Sequence, residues 1–177
     1  MKKTILDSHG VTEAIQGLAR DILTTDPSAD GLALVGVRTG GVFLAGRLGR
    51  ILEQELGRQV PTGVIDINLY RDDWTRATHK PVVGKTELKF SIDDQRLVLV
   101  DDVLFTGRTV RAALDALMDF GRPARIELCV LVDRGHRELP ICPNYTGLAL
   151  TTTLAERVNV YFSEQGDLDE VAVELAG

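Results

Sequence analysis

The chain has 177 residues, the length of one ordinary domain, with a hydrophobic fraction of 44% and a charged fraction of 26%. Its formal net charge of −6 argues against a protein that coats nucleic acid or anionic membranes non-specifically, because such binding depends on neutralising phosphate groups. No apolar stretch approaches the roughly 18 residues of a membrane span, so we predict a cytoplasmic protein without a membrane partner.

Helical and strand-like patterns alternate along the chain. In order, they predict a helix over 11–22, strands at 31–37 and 64–70 around a helix at 42–56, a strand at 97–100, a helix at 110–118, and strands at 126–132, 158–162 and 171–175. The strands are short apolar runs without a polar face, which is typical of a mainly parallel sheet covered by helices on both faces. We therefore predict one α/β domain over residues 1–177, with a long loop at about 71–86.

Ligands of parallel α/β sheets bind beyond the carboxyl ends of the strands. Three unusual loops leave such ends, after Val37, Val100 and Val132. We expect the functional residues of this protein in those loops.

The clearest of these loops joins a buried strand to a helix. The strand is predicted to stop at Asp101 and Asp102, after which the chain turns and a helix begins. Free N–H groups at a helix start form an anion site, and Gly107 permits an anion to approach the backbone closely. The predicted phosphate-binding residues are Val103, Leu104, Phe105, Thr106, Gly107, Arg108 and Thr109. The pattern GxxxxGK[ST] is missing, which excludes a P-loop NTPase.

Two carboxylates beside an anion site require a partner for their own negative charge. A ribose 5-phosphate supplies one, because its 2- and 3-hydroxyls can donate to Asp101 and Asp102 while its phosphate lies at the helix start. If C1 of the ribose becomes cation-like, the same carboxylates stabilise the transition state. The alternative is purely structural: Asp101 caps the helix and Asp102 faces solvent.

The segment Val98 to Val110 resembles the phosphoribosyl pyrophosphate (PRPP) motif of type I phosphoribosyltransferases. LYRDD (69–73), VDDVLFTGRTVRAALDALMDFGRPARI (100–126) and LVDRGHRELP (131–140) resemble the PyrR family of uracil phosphoribosyltransferases and pyrimidine-operon regulators. The likeness covers nearly the whole chain in order. It implies the type I phosphoribosyltransferase fold, a mainly parallel central sheet with helices on both faces plus a small hood at about 133–157.

The resemblance also implies a reaction, in which PRPP and uracil give UMP and pyrophosphate with the help of Mg²⁺. The catalytic residues would be Asp101, Asp102 and Arg71, the last in a mobile loop at about 71–86 and suited to clamp pyrophosphate. The metal would be held mostly by PRPP, with the two aspartates nearby. The implied pyrophosphate loop consists of Arg38, Thr39, Gly40 and Gly41, and the implied base-binding residues are Val132, Asp133 and Arg134.

Two of these features have alternatives that the residues leave open. Read alone, the loop at 38–41 is a tight strand-to-helix turn, although relatives often hold a cis non-proline peptide bond there. The base could also be a purine, which needs a roomier hood, or orotate, which needs a cation for its carboxylate.

Many family members also sense UMP or UTP and bind the leader of pyrimidine-operon messenger RNA, and they form dimers or larger homo-oligomers. The RNA contacts implied for this chain are His136, Arg137 and Arg20. Relatives with that role tend to carry basic residues where this chain has Cys142, Leu148 and Leu154, so the basic face is weakened. Two function classes therefore stay open: a uracil phosphoribosyltransferase, or primarily an RNA-binding attenuation regulator with vestigial catalysis.

Overall fold

The computed structural model describes residues 2–68, 70, 85–166 and 168–175, which form two β-sheets and three α-helices. The helices are α1 (Ser8–Thr25), α2 (Gly40–Leu56) and α3 (Arg108–Met118). The strands are β1 (Lys2–Leu6), β2 (Leu32–Val37), β3 (Thr62–Ile65), β4 (Arg96–Leu104), β5 (Arg125–Asp133), β6 (Tyr145–Ala149), β7 (Glu156–Tyr161) and β8 (Glu170–Leu175). None of the described helices is both long and apolar enough to cross a membrane.

The central sheet has five parallel strands in the order β3-β2-β4-β5-β6. Side chains along each strand alternate between two cores, because successive residues of a strand point to opposite faces. Leu34 and Val98 pack with α1 and α2 on one face, whereas Val35 and Leu99 pack with α3 on the other. The predicted mainly parallel sheet with helices on both faces is confirmed.

A second sheet of three antiparallel strands has the order β1-β8-β7 and joins the two ends of the chain. The sequence predicted β7 and β8 but not β1, whose short segment KKTIL has three exposed and two half-buried residues. Its pairing partners lie near the opposite end of the chain, for example Glu174 for Lys2. Local pattern carries no information about such a distant partner.

Two strand boundaries were predicted wrongly, and β6, like β1, was not predicted. The strand expected at 64–70 is β3, which ends at Ile65 and is followed by a turn in which the Tyr70 N–H donates to the Ile67 carbonyl over 2.9 Å. The strand expected to stop at Val100 continues to Leu104, because β4 stays paired with β5 as far as Leu104 opposite Asp133. The short strand β6 lies within 133–157, where a small hood but no strand was predicted.

Candidate active site

The three loops singled out in the sequence leave neighbouring strands at one edge of the sheet. β2, β4 and β5 are adjacent and parallel, so the loops after Val37, Leu104 and Asp133 all start at the carboxyl edge. Arg71, which was predicted to act with them, lies outside the described residues, as do 71–84 of the predicted loop.

Asp101 is buried, with 5% of its surface exposed, and its Oδ1 accepts the N–H of Asp102 over 3.0 Å. Burial, reinforced by the charge of Asp102, raises the pKa of Asp101 well above its ordinary value. Asp102 is half-buried, and its Oδ1 accepts the N–H of Val103 over 2.9 Å. The N-cap of α3 is Gly107, and Asp101 Oδ1 accepts the N–H of Asp102 rather than one from the helix. The structural alternative, in which Asp101 caps that helix, is therefore wrong.

The predicted phosphate-binding segment begins in the last residues of β4 and ends in the first turn of α3. Val103 and Leu104 belong to β4, and α3 begins at Arg108 after Gly107, whose φ of 91° is left-handed and favours glycine. The Thr106 carbonyl accepts the N–H groups of Glu138 and Leu139 over 2.9 and 3.2 Å. The amino end of α3, with its partial positive charge, is thereby held at the sheet edge and suits an anion.

The predicted pyrophosphate loop lies directly against the end of β4. The Arg38–Thr39 peptide bond is cis, and α2 begins at Gly40. A Cβ added at Gly40 would overlap the Asp102 carboxylate, and one added at Gly41 would overlap the main chain of β4 at the Val100 carbonyl. Only residues without a side chain allow this approach with Asp102 where it lies, so the two glycines bring the loop against the paired carboxylates.

The loop after β5 is organised by two arginines. The Arg134 guanidinium is buried, lies 4.1 Å over the Phe105 ring, and donates to the Thr153 carbonyl over 2.8 Å. Burial lowers the pKa of Arg134 from its ordinary value. Although burial opposes it, the Arg137 hydrogen bond and the Gly135 N–H hold the pKa of Asp133 below its usual range.

A pocket of about 410 Å³ opens beside this loop, lined by residues 133–136 and 149–152. Val132 itself is fully buried. The stacking of Arg134 on Phe105 was not predicted, since the two residues are distant in sequence and no local pattern links them. This stack covers one face of the Phe105 ring.

The three residues predicted to contact RNA are placed differently. Arg20 is exposed on α1 and lines a groove between α1 and α2, whereas His136 is exposed beside the pocket with Nε2 at 2.6 Å from the Thr152 carbonyl. All three nitrogens of the Arg137 guanidinium are engaged inside the protein, on the carbonyls of Ile141, Phe105 and Gly135 and on Asp133.

The sequence did not single out Asp66, which follows β3. Its carboxylate is buried, and its Oδ2 lies 3.7 Å from Nε of Arg38, the first residue of the pyrophosphate loop. An isolated acidic residue in a predicted strand gives no signal for such a contact.

Comparison with known proteins gives one family. Residues 1–162 match the family model described as phosphoribosyl transferase domain. The chain is 51% identical over 174 residues to the bifunctional protein PyrR of Syntrophobacter fumaroxidans, covering 98% of this chain and 94% of the relative. It is 53% identical over 171 residues to the bifunctional protein PyrR of Geobacter sulfurreducens, covering 96% of each.

Among solved structures, the hypoxanthine phosphoribosyltransferase of Trypanosoma cruzi superimposes with a TM-score of 0.72 at 19% identity, over 98% of this chain and 96% of that one. At that identity the likeness shows the fold alone. It confirms the type I phosphoribosyltransferase fold that the sequence predicted. The match to the domain model and to relatives at about half identity confirms the predicted family as well. The chain belongs to the phosphoribosyl transferase domain family and, within it, to the PyrR proteins.

Proposed function

We propose that this protein is a uracil phosphoribosyltransferase that converts PRPP and uracil to UMP and pyrophosphate. The observation that carries the proposal is the packing of Gly40 and Gly41 against the end of β4. It brings the proposed pyrophosphate loop against the two carboxylates, at the same edge of the sheet as the start of α3. Those are the parts needed to hold pyrophosphate, ribose hydroxyls and a 5-phosphate at the same time.

In this mechanism the 5-phosphate binds the N–H groups at the start of α3, and the ribose hydroxyls donate to Asp101 and Asp102. Positive charge develops at C1 as the bond to pyrophosphate breaks, and the two carboxylates stabilise it. Burial and the charge of Asp102 raise the pKa of Asp101 above its ordinary value. Hydroxyl donors and a developing cation both favour its ionised form.

Mg²⁺, when bound with PRPP, would neutralise charge on the departing pyrophosphate. Within the described ranges, no group of three or more His, Cys, Asp or Glu side chains could hold a metal ion. We propose that PRPP itself supplies most of the ligands of the metal, with the carboxylate oxygens of Asp101 and Asp102 nearby. Arg71 is proposed to clamp pyrophosphate from the segment that follows Tyr70.

Uracil is proposed to bind at the loop after β5, where main-chain groups of Val132, Asp133 and Arg134 would read its edge. We propose uracil in preference to a purine or orotate, because the resemblance to the PyrR family implies a uracil phosphoribosyltransferase. We propose the cytoplasm as the location of this activity, and a dimer or larger homo-oligomer as its state.

The double variant Asp101→Asn with Asp102→Asn tests the mechanism. We expect it to form no UMP and to keep the circular dichroism spectrum of the unmodified protein, because both side chains act at the ribose. PRPP consumption should be measured with uracil, orotate, hypoxanthine and guanine in parallel. Near-normal turnover in the double variant would refute the mechanism. Faster turnover of the unmodified protein with another base would refute the assignment of uracil as its substrate.

A second function is RNA-dependent regulation in response to UMP or UTP, which is favoured by the relatives' description as bifunctional. The exposed Arg20 and His136 are available for it, whereas Arg137 is committed within the protein and Leu154 presents an apolar side chain. Filter binding of a pyrimidine-operon leader RNA, with and without UMP at low salt, tests this function. Absence of UMP-dependent RNA binding would refute this regulatory function.

A further inference from the structure

Arg38 connects the pyrophosphate loop to the segment that follows β3. Its main-chain N–H donates to the Ile65 carbonyl over 3.0 Å, and its Nη2 donates to the Lys85 carbonyl over 3.0 Å. Its Nε lies 3.7 Å from Oδ2 of Asp66. The guanidinium thus contacts this segment at two points, while 38% of the side chain remains exposed.

Asp66 is buried more deeply than its partner, with 5% of its side chain exposed. Its Oδ1 accepts the N–H of Asn68 over 2.9 Å, and its own N–H donates to Oγ1 of Thr86 over 3.1 Å. Its Oδ2 accepts no hydrogen bond from any residue that the structure describes. Burying a charged oxygen is costly unless a cation lies beside it, and among the described residues Arg38 is a cation placed against this one.

We propose that Asp66 is a positioning residue for pyrophosphate binding, which acts by holding Arg38 in a fixed orientation. The proposal rests on the proposed phosphoribosyl transfer. The next residues of the loop include Gly40 and Gly41, which offer no side chain to restrain it. Fixing Arg38 in advance reduces the entropy lost when PRPP binds, so the loop and its positive charge are ready for the anion.

The sign of the effect distinguishes positioning from simple electrostatics. Asp66 carries a negative charge near the proposed site for an anion. If it acted only by electrostatic repulsion through space, removing its charge would strengthen PRPP binding. A positioning role predicts the opposite, because Arg38 becomes free to adopt other rotamers when its partner is neutral.

The experiment compares Asp66→Asn with the unmodified protein. We expect the KM for PRPP to rise about tenfold, while kcat and the KM for uracil change by less than about threefold. The Kd for inorganic pyrophosphate with Mg²⁺, measured by calorimetry, should rise by the same factor. In the Arg38→Gln background, Asp66→Asn should add no further change, because Asp66 acts only through Arg38.

Thr86→Val is the matched control, since it removes the acceptor of the Asp66 N–H but leaves the carboxylate in place. It should leave the KM for PRPP unchanged. An unchanged or lower KM for PRPP in Asp66→Asn, or an equal rise in Thr86→Val, would overturn the proposal.

If Asp66→Asn does not fold, the Arg38→Gln variant tests the proposal by itself. An unchanged KM for PRPP in that variant would contradict any role of Asp66 that acts through Arg38. An unmodified protein that makes no UMP would refute the proposed function. The pyrophosphate Kd would still test the positioning role in that case.

Discussion

Asp101 is a buried carboxylate whose charged neighbour is a second carboxylate. Its pKa is raised by burial and by Asp102, so the folded protein binds its proton more tightly than the unfolded chain does. The protonated form stabilises the fold fully below the unfolded pKa of about 3.9, and this contribution is lost as pH rises through the folded pKa. At neutral pH the residue therefore lowers stability, which is a common cost of a reaction site.

Asp101→Asn should consequently make the protein more stable and inactive. We expect the free energy of unfolding at pH 8 to rise by about 1–2 kcal/mol, with the gain shrinking as pH falls towards 4. Urea unfolding at several pH values measures the gain, and a UMP assay measures the loss. A variant that is less stable than the unmodified protein at pH 8 would contradict this account.

Gly41 shows how closely the loop approaches β4. A Cβ at this position would meet the main chain at Val100 and Asp101, which cannot move as a flexible side chain can. Gly46, on the same helix, has open space within 4 Å of its added Cβ.

We expect Gly41→Ala to cost about 1–3 kcal/mol of stability and to lower kcat/KM about a hundredfold through displacement of the loop. Gly46→Ala should instead raise stability by about 0.5–1 kcal/mol, because alanine is favoured over glycine inside a helix, and should leave activity unchanged. Thermal unfolding and the UMP assay compare the two. Equal effects of both substitutions would show that the close approach is unimportant.

At the scale of elements, Arg47 links α2 to the connection between β7 and β8 of the second sheet. Its guanidinium binds Glu164, Asp169 and Ser163 and lies 5.1 Å from the centre of the Phe162 ring. The Arg47 hydrogen bonds hold the pKa values of Glu164 and Asp169 below their ordinary range, against the effect of burial. The stability from these carboxylates is present above their unfolded pKa and is lost as pH falls through the folded pKa.

Arg47→Met should lower the free energy of unfolding by about 2 kcal/mol at pH 7, after allowance for partial exposure of the cluster, and by less at pH 3. Arg50→Met is the control, since Arg50 is 69% exposed and 3.9 Å from Glu164. Its effect should stay within about 0.5 kcal/mol. Urea unfolding at the two pH values measures both variants, and similar losses in both would refute a special role for Arg47.

At the scale of the whole molecule, the proposed PRPP site spans loops from three strands, so PRPP binding should stabilise the fold as one unit. With Mg²⁺ and PRPP at about 100 times its Kd, the expected gain is about 2.7 kcal/mol, or a rise in Tm of about 5 °C or more. EDTA should cancel most of the rise, because the metal is needed to neutralise the pyrophosphate. A rise that is insensitive to EDTA would contradict the proposed role of Mg²⁺.

Much of this architecture could be predicted because apolar periodicity is local. The helices with Val11 to Ile22 and Val110 to Leu117 on their buried faces, and the parallel sheet, follow from it, whereas Met118, which the pattern placed on the same face, is exposed. β1 and β6 could not be predicted, since each depends on a partner strand elsewhere in the chain. The extension of β4 through Asp101 and Asp102 could not be predicted either. The two charged residues interrupt the apolar pattern, whereas the pairing of β4 with β5 continues past them.

The sequence by itself determined the family, the fold class and the three loops that form the candidate site, because motif residues and buried strands are encoded by neighbouring positions. Only the tertiary structure decided which groups touch across those loops. It placed Gly40 against Asp102, Arg134 over Phe105, and Asp66 beside Arg38. Such contacts join residues far apart in the chain, and their geometry follows from how β3, β2, β4 and β5 are packed side by side.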